Sequence, residues 1–286
     1  MPASQNAEHP VVPTLEIRGA APIPQLGYGV FKVDPDIAAD VTAQALAAGY
    51  RHIDTAKIYG NEEGVGRAIA ESGIPREELF VTTKLWNDAH AVDDAIAACE
   101  APLERLGLEY VDLYLIHWAV PSQGQYVEAW KALIALQERG LVRAIGVSNF
   151  PKRQLAEIIE ATGVVPAIHQ IELHPYFQQR ELRAIHAEHG ILTEAWGPLG
   201  QGKSDLLANP AVTAIAEAHD ASPAQVVLAW HLAHGIVTIP KSITPSRIVE
   251  NLASVELTLT ADDVAALDAL DRPDGRGGAD PATKTA

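Results

Sequence analysis

An aspartate, a tyrosine, a lysine and a histidine, each at or just past the end of a short apolar run, open a route to proton chemistry. In Gly49–Gly66, GYRHIDTAKIYGNEEGVG, an apolar segment closes on Asp54, and Tyr59 follows ahead of an acidic, glycine-punctuated helix start. Lys84 ends LFVTTK and His117 ends VDLYLIH. A free phenol has a pKa near ~10 and gives up its proton poorly at neutral pH. An ammonium a few ångströms away stabilises the phenolate and lowers that value. Asp54 would keep the lysine charged and oriented, and His117 would orient or polarise a substrate oxygen. Such a set suits protonating a carbonyl oxygen as hydride arrives, or the reverse, with no nucleophile and no metal. Each residue alone has a plain structural reading: a helix cap or turn for Asp54, loop positions for Lys84 and His117. The weight lies in four suitable types at three strand ends.

The chain around them alternates. Thr14–Ile17 and Ala21–Ile23, around Arg18 and Gly19, read as a small hairpin, and Pro24–Phe31 as a short strand and loop. Strands are then expected at Arg51–Asp54, Leu79–Lys84, Val111–His117, Val142–Ser148, Ala167–Glu172, Ile191–Trp196 and Ile236–Pro240. Helical spacing fills the intervals at Ile37–Ala48, Glu62–Glu71, Val92–Leu106, Tyr126–Arg139, Lys152–Ala161, Arg180–His189, Ala211–His219 and Pro223–His234. Arg247–Leu252 and Asp262–Leu270 close the pattern, and Arg272–Ala286, rich in Gly and Pro, reads as a flexible tail. Strands apolar on both faces are parallel and covered on both sides. Their alternation with helices predicts one domain over residues 1–286, a TIM-type (β/α)8 barrel with the hairpin closing its bottom. An open doubly wound sheet is the alternative. The polar or aromatic residues that end the strands favour the barrel: Asp54, Lys84, His117, Ser148, Asn149, Gln170, Trp196, Lys241 and Ser242 converge on one mouth only if the sheet closes.

Composition narrows the partners. The 286 residues are 48% apolar and 20% charged, ordinary for a globular protein. With 21 basic against 37 acidic residues the net charge is −16, which argues against nucleic acid or an anionic membrane. Cys99 is the sole cysteine, so neither an intrachain disulfide nor a cysteine-built zinc site is available. No run approaches ~18 apolar residues, and MPASQNAEHPVVP lacks the cationic start and apolar core of a secretory signal. A monomer in a reducing cytoplasm is the expectation.

The motifs GYRHIDTAxIYGNEEGVG, TTKLWN, DLYLIHW, IGVSNF, QIELHPY, AWGPLGQG and IPKSxTPxRIxEN, in order from about residue 24 to 270, resemble the aldo-keto reductases, most nearly the bacterial 2,5-diketo-gluconate reductases. The resemblance implies a TIM barrel, NADPH, and reduction of aldehydes or ketones, 2,5-diketo-gluconate or other small keto or sugar carbonyls among them. Carried over, Tyr59 is the general acid, Lys84 and Asp54 its tuning pair, and His117 the orienting imidazole. Ser148, Asn149 and Gln170 would hold the nicotinamide carboxamide, with Trp196 stacked on the ring. An amide-rich site suits a carboxamide donor for acceptor, and an indole offers a flat apolar face. Lys241, Ser242 and Arg247 would take the adenosine 2′-phosphate, hence NADPH over NADH, with Glu250 and Asn251 near the adenine. Independently, a lysine and an arginine flanking a helix start in so acidic a chain look placed for an anion. Val30, Gly197, Leu199 and Gln201 complete the implied cofactor set, and Phe31, Trp86 and Trp118 the substrate pocket. The short link WAVPSQGQ after His117 implies an open pocket. Two departures stand out: Lys57, where a small apolar residue is usual, expected to point to solvent, and His169, expected to face away from Gln170.

Other readings are weaker. Gly197–Ser204, GPLGQGKS, matches a phosphate-loop pattern, but Pro210 interrupts the helix that should follow and no downstream strand ends in the magnesium-holding Asp. A glycine-rich loop folding over a dinucleotide pyrophosphate fits better, and no G-x-G-x-x-G is present for a Rossmann fold. His186 with His189, and His231 with His234, have metal-ligand spacing but no third ligand, so they read as surface or packing residues and no metal is expected. A catalytically silent NADPH-binding subunit is the alternative from another class. A Schiff-base aldolase using Lys84 would need a neutral lysine, which Asp54 opposes.

Overall fold

Strands apolar on both faces need helices outside them and side chains within. The computed structural model describes residues 9–285, without the side chains at 92 and 93, and meets both needs with a parallel barrel. Residues 1–8, on which the secretory-signal reading largely rests, and Ala286 lie outside the described residues. The hairpin strands β1 (Thr14–Leu15) and β2 (Ile23–Pro24) pair antiparallel. The barrel strands are β3 (Tyr28–Gly29), β4 (His52–Asp54), β5 (Phe80–Leu85), β6 (Val111–Ile116), β7 (Val142–Ser148), β8 (Ile168–Glu172), β9 (Leu192–Trp196) and β10 (Val237–Thr238). Each pairs in parallel with its neighbour in sequence. A parallel bridge between Leu26 and Thr238 joins the two ends, with the Gly27 N–H donating to Thr238 O at 2.8 Å. The barrel is therefore closed, and the open-sheet alternative falls.

The helices are α1 (Pro35–Ala48), α2 (Glu62–Glu71), α3 (Val92–Leu106), α4 (Tyr126–Glu138), α5 (Lys152–Thr162), α6 (Arg180–His189), α7 (Pro210–Ala218), α8 (Pro223–Ala233), α9 (Pro245–Leu252) and α10 (Ala261–Asp268). Their ends follow local chemistry. Asp34 caps α1 by accepting from the Asp36 N–H, Pro35 supplies a preset first turn, and Gly49 ends the helix at φ 117°. Ser222 and Gln225 form a reciprocal capping box on α8. The fully buried Trp130 of α4 and Trp230 of α8 anchor the helical layer.

Inside, the two-residue period of the strands stacks side chains in layers. At the bottom, Ile17 and Ile23 of the hairpin pack with Phe80, Leu113 and Ile168, which is the bottom closure expected of that hairpin. Two residues further along the same strand faces stand Thr82, Gln170 and Glu194, and two further again Lys84, Glu172 and Trp196. The interior thus passes from apolar to charged toward the strand C-termini. The expected strand within Pro24–Phe31 shrinks to Tyr28–Gly29, because Pro24 is used by the hairpin.

Candidate active site

The charged end of the barrel is built on β4 and β5. Lys84 is fully buried and its ammonium donates to Asp54 Oδ1 at 2.6 Å, Asp54 Oδ2 at 2.8 Å and Thr55 O at 2.9 Å. Burial favours the neutral amine, but Asp54 and then Tyr59 outweigh it, and the lysine stays charged with its pKa raised. A charged Lys84 removes the condition a Schiff-base aldolase would need.

Tyr59 sits on a one-turn 3-10 segment, Lys57–Tyr59, whose exit through Gly60 at φ 68° turns the chain toward α2. Lys84 Nζ lies 5.2 Å from the centre of its ring. The expected effect of Lys84 on the phenol is present but is not the largest. Lys84 does pull it down, but burial pushes harder and Asp54 adds to burial, so Tyr59 is raised to about 12. Tyr59 therefore carries its proton at neutral pH, the state a donor needs.

His117 meets Tyr59 edge to face at 5.8 Å between ring centres. Burial and then the nearby Lys84 hold its pKa well below 6.5, so the imidazole is neutral. Its Nδ1 is buried and has no hydrogen-bond partner among the described residues. Around this pair, Trp86 lies 5.1 Å from His117, Trp118 stacks on it at 6.4 Å, and Phe31 lies 5.1 Å from Tyr59. The three aromatic residues expected at the mouth do gather there.

On the opposite side, Asn149 adopts φ 55°, a left-handed conformation that asparagine tolerates. Its amide donates to His117 O and Ser148 Oγ and accepts from Trp196 Nε1 at 2.8 Å. Ser148, Asn149 and Trp196 thus form one locked unit. The Gln170 amide donates to Asp54 Oδ2 at 2.9 Å and to Glu194 Oε2 at 3.0 Å. With both N–H bonds committed, only its carbonyl oxygen can serve a carboxamide, as an acceptor. Val30 is fully buried; its N–H donates to Asp54 O and its carbonyl accepts from Asn61, so any cofactor contact is limited to packing.

The glycine-rich segment from Gly197 is a loop with Gly197 at φ 61° and Gly200 at φ 72°. Leu199 packs partly buried, while Gln201 lies exposed with its side chain against Gly197. Only short 3-10 turns follow before α7 begins at Pro210, so no phosphate-loop helix exists here. Past β10, Lys241 and Arg247 are exposed beside the N-terminus of α9, and among the described residues neither has a carboxylate partner. Ser242 Oγ accepts from the Thr244 N–H, shaping that turn. Glu250 accepts from Ser222 Oγ, and Asn251 is buried.

Lys57 points outward as expected, with Nζ 2.9 Å from both carboxylate oxygens of Asp88. His169 faces away from Gln170, accepts from the Phe150 N–H and meets His186 at 2.8 Å. His186 in turn meets Thr193 Oγ1, and His231 is also buried, so these are packing residues, while His189 is exposed. No group of metal-ligating side chains occurs among the described residues.

Glu172, Glu194 and His52 were not singled out from sequence, and Asn61 only as part of a helix start; all four are buried. Asn61 is buried, accepts from Thr55 Oγ1, and donates to Val30 O and Val33 O, fixing the loop that carries Tyr59. Glu172 accepts from the N–H groups of Gly277 and Gly278, and Lys203 donates to Gly277 O. The tail therefore crosses the mouth at Trp196, so closely that a Cβ on Gly278 would lie 2.5 Å from the indole. A cavity of about 530 Å³ beneath it touches Asn149, Glu172, Phe177 and Arg276 but none of the tetrad, so it adjoins the site. Glu194 and His52 are fully buried and 3.8 Å apart. The available signal for Glu194 was a carboxylate inside an apolar strand, two residues before Trp196.

A description of the Aldo/keto reductase family matches residues 25–272. A methylglyoxal reductase of Salmonella typhimurium is 48% identical over 250 residues, 87% of this chain and 90% of its own. A crystal structure of an aldo/keto reductase from Brucella melitensis is 51% identical with a TM-score of 0.88, covering 91% of this chain and all of its own. A crystal structure of a Gox0644 mutant in complex with NADPH is 47% identical, TM-score 0.92, covering 97% of this chain and 100% of that one.

Proposed function

As the chain belongs to the aldo/keto reductase family, we propose that it reduces small aldehydes and ketones to alcohols with NADPH, through Tyr59, Lys84, Asp54 and His117. The observation that carries this is a charged Lys84, held by Asp54, beneath a protonated Tyr59 that faces a neutral imidazole. When bound, NADPH supplies the hydride to the carbonyl carbon. His117 Nε2 orients the carbonyl oxygen, Tyr59 donates its phenolic proton to that oxygen, and the charge of Lys84 steadies the resulting phenolate. Phe31, Trp86 and Trp118 exclude water and accept a small apolar or sugar-like body.

The cofactor fits the residues present. Lys241 and Arg247 offer two cations without a carboxylate partner among the described residues, beside a helix N-terminus in a chain of charge −16, which suits a 2′-phosphate. Ser148, Asn149 and the Gln170 carbonyl would meet the carboxamide, with Trp196 against the ring and Gly197, Leu199 and Gln201 folding over the pyrophosphate. Ser242 would support the phosphate site, with Glu250 and Asn251 near the adenine and Val30 as packing. Methylglyoxal and 2,5-diketo-gluconate are the first substrates to try, the former named for a relative. We take the unit to be one barrel domain acting as a monomer in the cytoplasm; sedimentation would test the monomer.

The test is a panel of these carbonyls and simple aldehydes with NADPH and NADH in parallel. NADPH oxidation is expected, falling by about 10²–10⁴-fold in Tyr59→Phe. A preference for NADH would remove the roles given to Lys241 and Arg247. Tight NADPH binding without turnover would support a silent binding subunit instead.

A further inference from the structure

Gln170 bridges two carboxylates with one amide. Its Nε2 donates to Asp54 Oδ2 at 2.9 Å and to Glu194 Oε2 at 3.0 Å, and all three side chains are buried. Asp54 comes from β4, Gln170 from β8 and Glu194 from β9, where the parallel register places Gln170 directly beside Glu194. Asp54 is satisfied by Lys84, whereas Glu194 Oε1 has no hydrogen-bond partner among the described residues. Its nearest cation-forming neighbour is His52 at 3.8 Å, and burial holds that imidazole neutral, near pKa 4.

We propose that Glu194 is a positioning residue for the reaction: through the Gln170 amide it shares with Asp54, it sets how much negative charge lies beneath Lys84, and so how readily Tyr59 takes and gives its proton. This rests on the catalytic roles proposed above. The facing groups are few. β4 contributes Asp54 and His52, β5 contributes Lys84 and the hydroxyl of Thr82, and β8 contributes Gln170. β10 contributes Val237 and Thr238, neither titratable, and Tyr59 lies beyond Lys84. Burial, and then Asp54, raise the Glu194 pKa to about 8. Below that pH the layer holds one cation and one anion. Above it a second anion appears, which raises the Tyr59 pKa further and opposes formation of phenolate.

Alcohol oxidation with NADP⁺ needs Tyr59 as phenolate to take the hydroxyl proton while hydride leaves the carbinol carbon. The experiment therefore compares single-turnover oxidation by wild type and Glu194→Gln from pH 6 to 10, with Tyr59→Phe as control. The expected ratio of variant to wild type is near one at pH 6–7, rising to about 3–10-fold at pH 9.5, the effect of half to one pKa unit on Tyr59. A merely structural role would lower the variant by a constant factor. Tyr59-dependent turnover with a flat ratio overturns the Glu194 inference alone, whereas absence of Tyr59-dependent turnover overturns both readings. Should Glu194→Gln not fold, wild-type protein carrying ¹³C at its glutamate carboxyls gives the answer by NMR. One glutamate titrating between pH 7 and 9, in step with the oxidation profile, is expected, and no such glutamate overturns the proposal.

Discussion

Tyr59 shows how burial and charge compete at a single hydroxyl. Lys84 lies close enough to favour phenolate, by its charge and by a hydrogen bond, yet desolvation of the phenol outweighs the attraction. The acid form dominates as a result. Since Tyr59 keeps its proton to about pH 12, carbonyl reduction is expected to lose no activity through this group between pH 6 and 9, while alcohol oxidation climbs with pH. Steady-state profiles in both directions check this. Lys57, two residues away, is a different case: its pairing with Asp88 is at the surface, 33% and 57% exposed. Lys57→Ala is expected to cost less than about 1 kcal/mol and to leave kcat/KM within about twofold, read by urea melts and initial rates.

The elements act as struts for these side chains. Asn61, at the entry of α2, ties the loop carrying Tyr59 to the loop after β3 through Val30 O and Val33 O. Asn61→Ala leaves those carbonyls and Thr55 Oγ1 without this partner, so a loss of about 2–4 kcal/mol in stability is expected, with a fall in kcat larger than any change in cofactor Kd. Glu172, at the end of β8, plays the same part for the tail, which would otherwise have backbone N–H groups facing solvent. Glu172→Ala is expected to speed proteolytic cleavage between residues 273 and 283 while leaving the barrel's melting midpoint nearly unchanged. Element existence and order were legible because the strands are short apolar runs and the intervals between them carry helical spacing. The docking of the tail was not legible, since its Gly- and Pro-rich composition says nothing of a carboxylate waiting a hundred residues upstream.

At the scale of the whole molecule, the interior stores imidazoles in their neutral form. Burial, the leading cause in each case, holds His52, His90, His186 and His231 near pKa 4, and His117 and His169 well below 6.5. Each is a base with a folded pKa below its unfolded value, so unfolding takes up protons between about pH 4 and 6.5. Stability is therefore lost as pH falls through that window, by up to about 1.4 kcal/mol per pH unit for each group. Glu194 works in the opposite sense: its folded pKa of about 8 lies above the ordinary 4.5, so its contribution declines as pH rises from about 4.5 to 8. Urea midpoints are expected to fall steeply below pH 6 and gently from 6.5 to 8, and Glu194→Gln should remove the gentle decline.

The residue types at the strand ends, and the alternation of helices with strands apolar on both faces, were enough to imply a parallel barrel with a phenol, an ammonium and an imidazole at one mouth. The same information placed Lys57 outward and His169 away from Gln170, because each depends only on local periodicity and on charge seeking water. What only the tertiary structure decided is which inward-facing groups meet across the barrel. Asp54 and Gln170 are separated by 116 positions and lie on strands that are not neighbours in the sheet, so no local pattern encodes their contact. Closure of the sheet and its register bring Glu194 beneath them, and exclusion of water there decides that Tyr59 holds its proton more tightly than its neighbouring lysine alone would suggest.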